Sequence, residues 1–279
     1  MLFLAGLALT AGTLVACFRF GLTAVGVAAA LPIAAVAAGI LELDPAVALA
    51  PLAGVLAAAQ TARGRTYGLV IATASIPGLL YGLYLVGVLH GEAMTPDRIG
   101  DDQLRQLKES GLSALTTQGI AIEDLVRLFV LLQPSASVLY VLLKLVLGYA
   151  LGRYLGLWTG VVALPAPPLV REWRLWEQMI WFLVGGVALW LLAGDGVLNT
   201  LAVNIVVVVL VLYAVQGFSV ARYCLWRMRV ARTLEFVIYV VALVTGWAGL
   251  ILAGVGLMDT WFDWRRLGRR RSQEEEEVE

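Results

Sequence analysis

Apolar residues run almost unbroken along the chain in stretches at 2–17, 21–41, 45–60, 67–90, 129–152, 177–194, 197–221 and 234–258. Polar or Arg-bearing connections separate them. A helix crossing the hydrocarbon core needs about 20 apolar residues, somewhat fewer where the bilayer adapts. No period-two alternation recurs, and an open strand in lipid would leave backbone polar groups without partners. The pattern therefore predicts an all-α, polytopic transmembrane helical bundle over residues 1–258, with about eight membrane-spanning segments. In the first stretch, Leu14-Val15-Ala16-Cys17 reads like a lipoprotein cleavage box. No basic residue precedes it and Phe18-Arg19-Phe20 leads into further apolar sequence, so residues 2–17 read as a first span.

Two regions break the apolar pattern. Residues 91–128 form a long hydrophilic connection. Thr95-Pro96 is a helix start, a capping residue followed by proline at the first helical position. Ile99, Leu104, Leu107, Leu112 and Leu115 recur at spacings compatible with one face, which predicts an amphipathic helix lying over the bundle as a lid. Residues 259–279 form the second, a charged tail with an Arg cluster and an acidic run, expected to be solvated and disordered.

Composition agrees with the pattern: 61% hydrophobic and 14% charged residues, against roughly 45–50% and 25% in soluble domains. The 20 basic and 20 acidic residues balance, so no global field favours nucleic acid. Cys17 and Cys224 with a single histidine, His90, offer no structural zinc spacing, so no metal or cofactor is expected. Arg63/Arg65, Arg171/Arg174 and Arg222/Arg227/Arg229/Arg232 fall on one side if each stretch crosses once, which predicts that loops 61–66, 161–176 and 222–233 are cytoplasmic. The Arg cluster of the tail then falls on the opposite side, and its placement stays open.

The first half is rich in Ala and Gly, whereas all nine Trp stand at or after Trp158. Small residues recur every fourth position at Ala8/Gly12/Ala16, Gly26/Ala30/Ala34/Ala38 and Ala46/Ala50/Gly54/Ala58, and Gly78/Gly82 form a GxxxG pair. Such faces let helix backbones approach closely, within the chain or against another membrane subunit. Pro32, Pro51, Pro77 and Pro134 lie inside or at the lip of apolar runs, where proline kinks or breaks a helix.

At residues 215–266 the sequence resembles a known family. Val215-Gln216-Gly217-Phe218 ends a span and an Arg-rich loop follows. A last span closes on Gly254-Val255-Gly256-Leu257-Met258-Asp259-Thr260-Trp261-Phe262-Asp263-Trp264-Arg265-Arg266. This is similar to the carboxyl-terminal signature of the YybS-like bacterial membrane proteins. The basic segment Arg171-Glu172-Trp173-Arg174-Leu175 and the step Arg19-Phe20-Gly21 also resemble that family. The resemblance implies a multi-pass protein of the bacterial inner membrane and supplies no reaction or substrate. At fold level the build also resembles the substrate-binding subunits of energy-coupling-factor transporters.

Of residues that could carry chemistry, Lys144 stands out, near the middle of an apolar span where an ammonium costs about 2.5–3.5 kcal/mol on insertion scales. Asn204 and Gln216 are further intramembrane polar groups. With Lys144 they are the candidate substrate or ion contacts; the alternative is interhelical hydrogen bonding for the amides and, for Lys144, a tilted helix from which it reaches an interface or a buried carbonyl. Asp259, Trp261, Asp263, Arg265 and Arg266 form a C-terminal motif, either an exposed ion-pair cap with aromatic anchors or a docking motif. No catalytic motif is recognisable, and the chain is not expected to be an enzyme. The expected function is solute binding or transport; the alternative is a non-catalytic scaffold for another membrane complex.

Overall fold

A computed structural model describes residues 2–37, 49–65, 67–89, 122–160, 166–167, 169–194, 196–231, 233–235, 238–239 and 247–265. Among these residues the protein is helical and contains no strand, as the hydropathy pattern requires. The chain divides into two compact units, Met1–Pro167 and Pro168–Glu279.

The first unit contains α1 (Leu2–Phe20), α2 (Leu22–Ala37), α3 (Ala50–Ala62), α4 (Tyr67–Ala74), α5 (Ile76–Leu89) and α6 (Ile122–Thr159). Gly21, at φ +92°, makes the turn between α1 and α2, a conformation that residues with a Cβ rarely adopt. The prolines act in different ways. Pro51 sits in the first turn of α3, where its missing N–H costs nothing. Pro77 follows the break at Ser75 that divides the fourth apolar stretch into α4 and α5. Pro134 is carried inside α6, and Pro32 lies within α2.

Helix α6 is the spine of this unit. Gly78 and Gly82 of α5 meet Val141 and Val138, so α5 runs antiparallel to α6. On another face Gly6, Thr10 and Leu14 of α1 meet Lys144, Gly148 and Gly152, so α1 runs parallel to it. Each pair sets a larger side chain against a glycine, which is how helices gain van der Waals contact where water gives no driving force. Leu14, Cys17, Ala53, Ala57, Ala58, Val70, Ala74, Leu145 and Tyr149 form the core.

The second unit contains α7 (Met179–Leu192), α8 (Val197–Arg227) and α9 (Ala248–Phe262), preceded by a 3₁₀ turn at Val170–Glu172. Helix α8 packs against α7, α9 and the 3₁₀ turn. Val209, Tyr213 and Ala253 form its small core. Where α8 crosses α9 the backbones touch: a Cβ on Gly217 would stand 1.8 Å from the Leu252 carbonyl oxygen, and one on Gly256 2.0 Å from that of Tyr213. Glycine at both positions is what permits the crossing.

Three helical stretches among the described residues are long and apolar enough to span a bilayer, Tyr67–Gly87, Val126–Thr159 and Val197–Arg227. Leu4–Phe20, Ala50–Ala62, Met179–Leu192 and Ala248–Phe262 are shorter apolar helices. The sequence boundaries shift accordingly. The hydrophilic connection gives up residues 122–128 to the first turns of α6, because no helix breaker separates them from the apolar run. The lid helix expected after Thr95 lies outside the described residues. The charge pattern places the start of a disordered tail at 259. Instead α9 continues to Phe262 and both Asp259 and Arg265 are buried, because each supplies the other's counter-charge. Residues 266–279 lie outside the described residues.

Candidate functional site

Helix α9 ends in a left-handed residue, Asp263, at φ 42°, whose N–H still donates to the Asp259 carbonyl at 3.0 Å. This reversal turns the chain back over the last helical turn, and Arg265 returns onto Asp259. Its Nε and Nη2 donate to Asp259 Oδ2 at 3.2 and 2.6 Å. Its Nη1 donates to the carbonyl oxygens of Arg171 and Trp173 at 3.1 and 2.8 Å. The planar fork of arginine suits this, since it offers several donors in fixed directions.

The same carboxylate oxygen accepts from Gln216 Nε2 at 3.3 Å. Gln216 also donates to Thr260 Oγ1 at 3.4 Å and accepts the Leu175 N–H at 3.1 Å. Arg174 adds a second layer: its Nη2 donates to Glu177 at 2.9 Å and to the Thr260 carbonyl at 3.4 Å, and its Nη1 lies 3.6 Å from Asp263. These contacts fasten segment 171–175 to both α8 and α9. We call the arrangement the clasp.

The clasp revises the reading of the C-terminal motif. The charge spacing predicts an exposed ion pair, with Arg266 three residues beyond Asp263; the pair is Asp259–Arg265 and it is buried. That expectation assumes a continuing helix, and the left-handed turn at Asp263 changes which arginine faces Asp259. Arg266 lies outside the described residues. Trp261 and Trp264 are exposed, at 62% and 49%, as headgroup anchors would be.

Of the candidate contacts, Lys144 lies in the first unit and Asn204 and Gln216 lie in the second. Gln216 belongs to the clasp. Asn204 donates to the Thr200 carbonyl at 2.8 Å, one turn back along α8. Lys144 belongs to the first unit, where its ammonium lies 4.1 Å from the centre of the Tyr140 ring. Its side chain runs past Gly6, on which a Cβ would stand 3.0 Å from Lys144 Cδ. Along the helix axis Lys144 is about 33 Å from the first residue of α6 and 23 Å from the last. The ammonium therefore sits deep in an apolar seam, supported by a cation–π contact.

Arg171, Arg174 and Thr260 stand in the segments the sequence marks out but are not among its candidate site residues. A signal is present in the basic segment 171–175, but nothing in a linear pattern tells which backbone carbonyls of that segment an arginine far along the chain will reach.

The model of the family described as "Predicted membrane protein (DUF2232)" matches residues 1–260. The match bears out the resemblance to the YybS-like membrane proteins. No curated protein and no solved structure matches the chain.

Proposed function

The chain belongs to the predicted membrane protein family DUF2232, and on that premise we propose that it is a non-catalytic solute-binding or transport-related subunit of the bacterial inner membrane. One observation carries the reading: Lys144, an ammonium 2% exposed at mid-helix in the seam between α1 and α6. Ionisable groups at such depth are costly and tend to mark substrate or ion pathways. Gly6 leaves the space that the lysine stem occupies, and the ring of Tyr140 holds the ammonium. In this reading Lys144 is the contact for an anionic group of the solute.

The test is thermal unfolding of purified wild type and Lys144→Leu, each with and without small molecules extracted from native membranes. A stabilising response in wild type that disappears in Lys144→Leu supports the proposal. Identical responses in the two proteins refute it.

A second reading, an accessory subunit docked to another membrane complex, draws on α1. Ala8 and Gly12 are exposed there, with nothing among the described residues within 4 Å of a Cβ at Gly12. Gly12→Leu would release a co-purifying membrane protein under that reading and leave solute binding unchanged.

A further inference from the structure

A cleft of about 320 Å³ in the second unit is lined by Leu169, Val170, Arg171, Phe218, Arg222 and Trp226. Its two cations are held from outside. The Arg171 guanidinium stacks on the Trp226 ring, 4.3 Å from its centre, while the Arg171 carbonyl is gripped by Arg265 of the clasp. Arg222 is paired with Glu235, which also accepts the Tyr239 hydroxyl at 2.9 Å. Phe218 packs against Tyr239, ring centres 4.6 Å apart. Among the described residues the carboxylates facing these arginines are Glu235 and, at 3.3 Å from Arg171 Nε, the exposed Glu172. Each contact engages only part of a guanidinium that carries five N–H donors.

We propose that this cleft binds a phosphate-bearing anion between Arg171 and Arg222, and that an anionic phospholipid supplies it. Arginine forks match phosphate oxygens in pairs, and the cleft volume is that of a small-ligand site. The choice of a lipid rests on depth and on the wall. Twenty residues of α8 counted from Val197 span about 30 Å, the thickness of the hydrocarbon core. That count ends at Gln216, so Arg222 and Trp226 stand about two to three turns further, among headgroups. Leu169 and Val170, both exposed, offer an apolar wall on which glycerol and the first acyl carbons would lie. The Arg-rich connections that bring these residues together are the ones expected on the cytoplasmic side, where anionic lipids collect.

The experiment uses the full chain in phosphatidylcholine nanodiscs titrated with phosphatidylglycerol, with bound lipid counted by native mass spectrometry. Wild type is expected to retain phosphatidylglycerol over phosphatidylcholine. Arg171→Gln removes one cation while keeping the backbone carbonyl that Arg265 holds. Val170→Asp sets a carboxylate at the exposed lip and removes no polar contact, so it serves if Arg171→Gln fails to fold. Each should weaken retention on the order of tenfold, as one charge a few ångströms from the phosphate would. Unchanged retention in a folded variant, or no preference in wild type, overturns the site. Inorganic phosphate at millimolar concentration that displaces the lipid and stabilises wild type in pure phosphatidylcholine would leave the phosphate chemistry standing and overturn the lipid as its source. Lys144→Leu should retain phosphatidylglycerol as wild type does, which separates this proposal from the one based on the first unit.

Discussion

Lys144 in the first unit and Arg265 in the second are equally buried, each 2% exposed, yet the two units accommodate them by different means. The lysine is a flexible stem laid over a glycine, with its charge on an aromatic face. The arginine is a rigid fork whose donors reach a carboxylate and two backbone carbonyls. The glycines differ in the same way. In the first unit Gly78 and Gly82 face chiefly the side chains of Val141 and Val138. In the second, Gly217 and Gly256 face the backbone, which cannot shift without moving a helix. The α5–α6 crossing is thus filled by side chains and the α8–α9 crossing by backbone.

The glycines give the largest expected contrast. Gly256→Ala or Gly217→Ala should separate α8 from α9, break the reach of Gln216 to Asp259, and leave little protein that melts cooperatively. Gly82→Ala crowds the Val138 side chain and stands only in ordinary contact with the Pro134 carbonyl, so it should cost about 1–3 kcal/mol, as overpacking does. Melting of the three variants in one detergent measures this, and equal losses would erase the distinction between the two crossings.

The charged groups come next. Arg265→Met leaves Asp259 buried without its counter-charge and should cost about 3–5 kcal/mol. Adding Asp259→Leu removes the orphaned charge, so the double variant should be more stable than Arg265→Met alone. A double variant whose loss equals the sum of the two single losses would show that the pair is not coupled. Lys144→Leu moves the other way: removal of a mid-span ammonium should raise stability by up to a few kcal/mol, read as a higher melting temperature without ligand. A lower melting temperature would mean that Lys144 supports the fold as Arg265 does.

Asp263→Asn is the smallest change. Asparagine tolerates the left-handed conformation, and the ion pair it removes, 3.6 Å to Arg174, is partly exposed and worth about 0–1 kcal/mol. An exposed cap would make Asp259→Asn equally mild. The clasp assigns Asp259 the larger loss, so the two single substitutions should part clearly in their melting temperatures.

The order of apolar stretches determined by itself that the protein is a helical membrane protein, because lipid leaves a backbone without strand alternation no other way to satisfy its hydrogen bonds. Lys144 was also conspicuous in the sequence, since a lysine flanked by leucines stands out whatever it meets. Helix ends were less legible: hydropathy does not register that α6 begins at Ile122 or that α9 continues past Asp259, because charged residues extend a helix as readily as apolar ones. What only the tertiary structure decided is who meets whom. Gln216 reads in sequence as one more polar residue of a span, and Asp259 as the start of a charged tail. They are 43 residues apart, and they meet because Gly217 and Gly256, each close beside one of them, let two backbones touch. The partner of Asp259 was decided by one left-handed residue, and no pattern of hydropathy or charge records a single backbone dihedral.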